Sequence, residues 1–264
     1  MEITQLYIYP IKSLAGISLK SAELLPKGLK YDRRWLLVDE NGIHVTQRTE
    51  PVLVLFKTSI LEEGIGVTYE GEEVLIPFKP KNSKTATVVV DVWGDQFEAE
   101  EVSVELSDWF SKKVGKELKL VHQPEDVFRQ IDQKYANSPT DDVSAADGYP
   151  ILIISEESLA DLNERLEETV EMLRFRPNLV ISGLPAYGED MLTLIKTPTV
   201  TLLGVKNCGR CIMVTNDLNK GKLSKEPLKT LSTYRKDGSK VLFGRNFIPQ
   251  SLGLIKVGDK IIEV

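Results

Sequence analysis

Cys208 and Cys211 are the only cysteines in a chain of 264 residues, and they frame Gly209 and Arg210. A thiolate is a nucleophile and a soft metal ligand, and a cation beside it favours its anionic form. A zinc site needs about four ligands, and the only histidines, His44 and His122, lack the spacing to complete one, so no zinc is expected. A dithiol/disulfide couple normally sets its reactive sulfur at a helix N-terminus, whereas Ile212-Met-Val-Thr215 favours a strand or extended segment. That leaves a functional thiolate, beside the plain alternative that either cysteine is a small buried hydrophobe.

Several cations stand at turns instead of on helical faces. Lys12-Ser13 follow Tyr9-Pro10-Ile11, where Pro10 redirects the chain. An ammonium and a hydroxyl at a strand end can hold a phosphate through charge-assisted bonds. Asp32-Arg33-Arg34-Trp35 leads into another strand, and alternation sends Arg33 and Arg34 to opposite faces. Thr46-Gln47-Arg48 repeats the arrangement one hairpin later, giving Lys12, Arg33 and Arg48 a route to a common mouth. Arg176, in Arg174-Phe-Arg-Pro177, lies beside a proline-stiffened turn and suits an oxyanion or a planar heterocycle. The alternative is an ion pair with the acidic helix before it. Asp147, in Asp147-Gly-Tyr-Pro150, can accept N–H groups of a bound ring or close an Asx-turn.

The elements that must position these groups are mostly short strands. Ile3–Tyr9, Trp35–Asp39, Ile43–Thr46, Val52–Ser59, Gly66–Tyr69, Val74–Pro77, Thr87–Val92 and Gln96–Val102 read as strands, with Asn41-Gly42 as a hairpin turn. Ser103 or Ser107 caps a helix running to about Lys116. Residues 123–146 form a long polar loop, and loops of that length usually carry function or are disordered. Beyond it, 149–155 reads as a buried strand. Ser155, or Ser158, then caps a helix expected to run through Leu173, with Leu159, Leu162, Leu166, Val170 and Leu173 on one face. Asn178–Ser182 and Thr199–Val205 are further strands, Pro227 opens a short helix, and Leu254–Val264 closes with strand and turn.

The chain exceeds the usual size of one domain, so two are expected. A net charge of −6 gives no electrostatic footprint for general nucleic-acid binding. No apolar run approaches the ~18 residues of a membrane span, and the N-terminus carries no signal or transit pattern, so a cytoplasmic protein without membrane contact is expected.

Taken in order, Tyr-Pro-Ile-Lys-Ser, Asp-Arg-Arg-Trp, Thr-Gln-Arg-Thr-Glu-Pro, Arg-Phe-Arg-Pro-Asn-Leu-Val-Ile-Ser-Gly, Cys-Gly-Arg-Cys, Glu-Pro-Leu-Lys-Thr-Leu and Phe-Gly-Arg-Asn-Phe resemble MOSC-domain proteins of the amidoxime-reducing component type. The resemblance spans nearly the whole chain. It implies a predominantly β, α+β architecture: an N-terminal β-barrel domain over 1–118 packed on a MOSC β-barrel domain over 119–264, with peripheral helices. It also implies a molybdenum cofactor, molybdenum bound to molybdopterin, with Cys211 as the protein's ligand to the metal and Cys208 as the alternative. Lys12, Ser13 and Arg33 match positions that bind the cofactor's phosphate, and Arg48, Asp147 and Arg176 match positions around the pterin. Arg210 would support the thiolate charge, Asn246 is a further pocket residue, and Arg34 should point away. Pyridoxal phosphate binding is a secondary expectation.

The activity implied is reduction of N-hydroxylated compounds such as amidoximes, hydroxylamines or N-hydroxylated bases. An iron–sulfur cluster needs about four protein ligands, usually cysteines, and two cysteines cannot supply it. Electrons would therefore come from a separate protein of ferredoxin, flavodoxin or cytochrome b5 type. The competing reading is a carrier of molybdenum cofactor or of a persulfide sulfur.

Overall fold

The computed structural model describes residues 1–78 and 87–264. Among the described residues the fold is predominantly β, with three α-helices at the periphery, Val104–Val114, Glu156–Glu164 and Leu228–Tyr234. The largest sheet is built around two ten-residue antiparallel strands, Thr201–Arg210 and Lys240–Pro249. Lys240–Pro249 pairs with Ile151–Ser155, which runs parallel to Leu179–Ser182. All five residues of Ile151–Ser155 are buried, as a strand covered on both faces should be. A parallel pair needs a long crossover, here containing the helix Glu156–Glu164.

The sheet is completed by the start of the chain. Glu2–Ile8 lies antiparallel to Leu179–Ser182 and is followed in the sheet by Ile17–Leu19. Ser21–Leu25 likewise pairs with Gly253–Lys256, so two strands within the first 25 residues are hydrogen-bonded to strands from the second half. One apolar cluster mixes both ends of the chain, including Ile3, Leu6, Ile153, Leu179, Leu202 and Phe247. A four-stranded sheet ordered Trp35–Val38, Lys119–His122, Asp95–Glu101, Thr87–Val92 and a hairpin sheet over Lys57–Ile60, Gly64–Tyr69 and Glu72–Pro77 form the rest of the first half.

Several local expectations need correction. Residues 51–55 form a 3-10 helix instead of a strand. Pro51 sits in its first turn, where a missing N–H costs nothing, and only Lys57–Ile60 is extended. Ile43 and His44 make isolated bridges, to Asp91 and Val38, without forming a strand. The helix that starts at Glu156 stops at Glu164 instead of Leu173. There Asn163 captures both backbone groups of Val170, through Oδ1 at 2.9 Å and Nδ2 at 3.1 Å, and folds the chain back. Ser155 is the N-cap, accepting from the Ser158 amide. Ile212–Thr215, expected to be extended, is a single 3-10 turn.

His122 packs its ring 5.0 Å from that of Trp35. Burial, then the charges of Arg34 and Lys27, push it down to about 4. An unfolded histidine titrates near 6.5, so between those values the unfolded chain binds the extra proton. Stability from this group is thus present above about 6.5 and lost as pH falls towards 4. His122→Gln is expected to flatten that part of the stability profile, measured as urea midpoints across the window. An unchanged slope would contradict the assignment.

Candidate functional site

An open cavity of about 330 Å³ lies where the two halves meet. Lys12, Ser13, Arg33, Arg48, Asp147, Arg176, Cys208, Arg210, Cys211 and Asn246 all line it. Residues as distant in sequence as Lys12 and Asn246 thus converge on one space. Arg34 is not among the lining residues. Its side chain is 1% exposed and faces Glu125 Oε2 at 3.3 Å. The segment before Trp35 is a turn and not a strand, so Arg33 is turned into the cavity by a left-handed backbone, φ 50°, instead of by strand alternation.

Ser13 and Arg176 share that left-handed conformation, with φ of 72° and 55°. Non-glycine residues adopt it at a cost of roughly 1–2 kcal/mol each. The surroundings hold them there. Tyr9 is buried under both guanidinium groups, with the Arg33 and Arg176 carbons 4.4 Å and 4.1 Å from its ring centre. Its hydroxyl donates to the Pro177 carbonyl at 3.1 Å. Gly16 is required beside it, because a Cβ there would stand 2.4 Å from the ring. Arg33 also donates to the buried Asp32 carboxylate at 2.6 Å, to Asn178 Oδ1 at 3.2 Å and to the Arg176 carbonyl at 3.2 Å.

Arg176 donates through Nη1 to the Leu14 carbonyl at 2.6 Å, while its Nη2 is buried without a partner. Burial, with Arg33 adding to it, lowers this guanidinium to about 10, so it remains charged at neutral pH. The Arg210 Nε and the Tyr149 hydroxyl are likewise buried and unpaired. Eight of the lining side chains are Lys or Arg and one is a carboxylate. That one, Asp147, accepts from Lys12 at 2.5 Å and from the Trp93 indole at 3.2 Å. Burial draws the Lys12 ammonium down to about 8, with Asp147 opposing. Desolvation works against the Asp147 charge, yet the Lys12 contact holds its carboxyl below the usual carboxylate range. Among the described residues Arg48, Arg176, Lys206, Arg210 and Lys240 make no ion pair. This excess of positive charge, half-buried at Arg176, Lys206 and Arg210, is matched chemically by a polyanion.

The sulfur side owes its form to irregular pairing. Register shifts fall between Gly204 and Lys206 and between Asn207 and Gly209. A bulge breaks the two-residue alternation of a strand, which is how every residue from Lys206 to Cys211 reaches the cavity lining. Arg210 donates to Cys208 Sγ at 3.0 Å and to the Phe175 carbonyl at 2.5 Å. The arginine thus contacts the first cysteine, where the sequence suggested only a general thiolate partner. Cys208 is packed against the apolar cluster around Phe175 and Phe243. Both cysteines are free thiols.

The loop over 123–146 is ordered by the buried Arg129, which donates to the Ser144 and Ala146 carbonyls at 2.9 Å and 2.5 Å and to Asp95 Oδ2 at 2.8 Å. That brings the Ala145 carbonyl to Lys12 Nζ at 2.8 Å. Sequence reasoning missed Tyr9, Trp93 and Lys206. Trp93 stacks under Arg48 at 4.1 Å while bonding Asp147, so one indole ties two cavity residues together. Lys206 Nζ lies 4.2 Å from the Tyr135 ring centre. The only local signal was the Trp93-Gly94 turn, since its partners are remote in sequence.

Residues 1–117 match the MOSC N-terminal beta barrel domain and residues 140–262 the MOSC domain. Mitochondrial amidoxime-reducing component 1 of Homo sapiens is 36% identical over 98% of this chain and 82% of its own length. The corresponding protein of Danio rerio is 33% identical over 99% and 84%. The chain belongs to the amidoxime-reducing component family of MOSC proteins. Molybdenum cofactor sulfurase of Oryza sativa subsp. japonica is also similar, at 33% identity over 92% of this chain and 32% of that protein. In this MOSC-family chain no described helix is long and apolar enough to cross a membrane.

If the cavity takes an anion, inorganic phosphate should raise the thermal midpoint of the cofactor-free MOSC protein by linkage. Arg33→Gln should weaken the apparent phosphate affinity by about 2 kcal/mol, roughly thirtyfold. A midpoint indifferent to phosphate would contradict this reading of the cavity.

Proposed function

We propose that this protein is a molybdenum-cofactor-dependent reductase of N-hydroxylated compounds, including amidoximes, hydroxylamines and N-hydroxylated bases. The observation that carries the proposal is the meeting of a free, cavity-lining thiol with a cationic wall that has almost no carboxylate to neutralise it. The unpaired Arg176 Nη2 and Arg210 Nε suit the acceptor atoms of a pterin and the negative charge of its dithiolene. Membership of a family whose relatives are named for amidoxime reduction supports the same reading.

In this proposal Lys12, Ser13 and Arg33 hold the phosphate. Lys12 brings a charge already balanced by Asp147, so a bound phosphate can share its ammonium without leaving that carboxylate unpaired. Arg48, Asp147 and Arg176 surround the pterin, and Asn246 completes the wall on the neighbouring strand. Cys211 supplies the thiolate to the metal. Its sulfur makes no hydrogen bond among the described residues, whereas that of Cys208 is engaged by Arg210 and packed against apolar side chains. When bound, the cofactor supplies the two-electron chemistry that cleaves the N–O bond, and the protein supplies orientation and electrostatics. Arg210, next to Cys211 in the chain and hydrogen-bonded to the Cys208 sulfur, tempers the negative charge gathered there. Electrons are drawn from a separate donor protein.

Similarity to a molybdenum cofactor sulfurase keeps a sulfur or cofactor carrier as the second reading. Substitution separates the two cysteines and the two readings. Cys211→Ser is expected to reduce molybdenum content from about one per chain to near zero and to abolish benzamidoxime reduction with reduced methyl viologen. Cys208→Ser should retain most of the metal. Equal retention by both variants would refute the ligand assignment. A metal-loaded protein inert toward all N–OH substrates, or a persulfide mass shift on Cys211, would favour the carrier.

A further inference from the structure

We infer that the lysine-rich face beside Cys211 is the docking surface for an acidic electron-transfer protein. The inference rests on the reductase reading and names the kind of donor that reading requires. Residues 216–240 contain seven Lys or Arg against three Asp or Glu, in a chain whose net charge is −6. Lys220, Lys222, Lys225, Lys229, Lys236 and Lys240 are all exposed. Two of the three carboxylates are committed to backbone groups, Asp217 to the amides of Asn219 and Lys220 and Glu226 to that of Thr230. Among the described residues, Lys222, Lys225, Lys229, Lys236 and Lys240 make no ion pair. The rest of the molecule is correspondingly acidic.

This positive charge is fastened to the sulfur end of the cavity. The segment starts directly after the 3-10 turn Ile212–Thr215, and Ser224 returns to the Thr215 carbonyl through both its amide and its hydroxyl. Lys236 pairs with Val241, and Val241 pairs with Arg210 on its other side. The Lys240 stem lies against Gly209, within 3.4 Å of where a Cβ would stand. Gly209, which lines the cavity, is exposed, and Ile212, next to Cys211 in the chain, is 43% exposed, so a bare peptide and an apolar side chain flank the sulfur segment near these lysines. An apolar centre with a charged rim is the pattern of a transient protein interface. A positive face on a negative molecule orients an acidic partner during approach and raises its association rate. A nucleic acid or an anionic membrane would meet the same lysines, but nothing in their chemistry requires the sulfur to be next to them. A donor requires that proximity. Each turnover takes two electrons and two protons to convert an N–OH group into N–H and water, and the donor is oxidised by those two electrons.

The test uses the full-length, cofactor-loaded protein and reduced flavodoxin as the acidic probe. Lys225→Glu, Lys229→Glu and Lys236→Glu are combined in one variant, all at exposed positions outside the cavity lining. Flavodoxin should bind the wild type at low ionic strength, lose affinity as salt screens the charges, and bind the variant roughly tenfold or more weakly. Flavodoxin-driven benzamidoxime reduction should fall in parallel, while turnover with reduced methyl viologen stays unchanged. Equal flavodoxin binding by wild type and variant would overturn the docking face. So would binding of anionic phosphatidylserine vesicles in place of flavodoxin. Loss of turnover with methyl viologen in the wild type would instead overturn the reductase reading, which keeps the two failures distinct.

Discussion

Positive charge held without enough counter-charge is the constraint on which this structure turns. Burying one guanidinium without a carboxylate is costly, and setting Arg33 and Arg176 over the same tyrosine ring adds mutual repulsion. The fold accepts left-handed backbone at Ser13, Arg33 and Arg176 as well. Such costs make sense when a bound anion offsets them, because the attraction gained in a partly dehydrated cavity exceeds what the same charges would gain in water. Tyr9 is central to the arrangement. Its ring accepts both cations and its hydroxyl fixes the Pro177 turn from which Arg176 projects.

The architecture serves that constraint by stitching the chain's ends together. Because Glu2–Ile8 lies beside Leu179–Ser182, the turn that follows it delivers Lys12 and Ser13 to the same space as Arg176. The bulged strand Thr201–Arg210 brings the sulfurs in from the other side. Neither half contains the cavity by itself. A mutation that loosens the first strand is therefore coupled to the site through backbone hydrogen bonds as well as through packing.

Much of this was legible in the sequence, and the parts that were not share a cause. Alternating and buried strands such as Ile151–Ser155 announce themselves through their own side chains, as do the Ser103 and Ser155 caps. Lys12, Arg33, Arg48 and Arg176 were recognisable because each stands at a turn. The early end of the helix at Glu164 was hidden, since it depends on Asn163 reaching Val170. Pro51–Leu55 misled because Val and Leu suit a strand as well as a short turn of helix. Trp93 and Tyr9 were missed for a different reason: their importance lies in what they touch, and those partners are brought near only by the tertiary fold. The contact of Arg210 with Cys208 also follows from bulge geometry that spacing does not encode.

The most direct test of the account is native mass spectrometry of the protein purified from cells that make molybdenum cofactor. A cavity shaped by unmatched positive charge around a free thiol should hold one molybdenum-loaded pterin phosphate per chain, seen as a single discrete mass increment. A protein that emerges from such cells at the mass of its bare polypeptide, with no metal or pterin attached, would contradict the account.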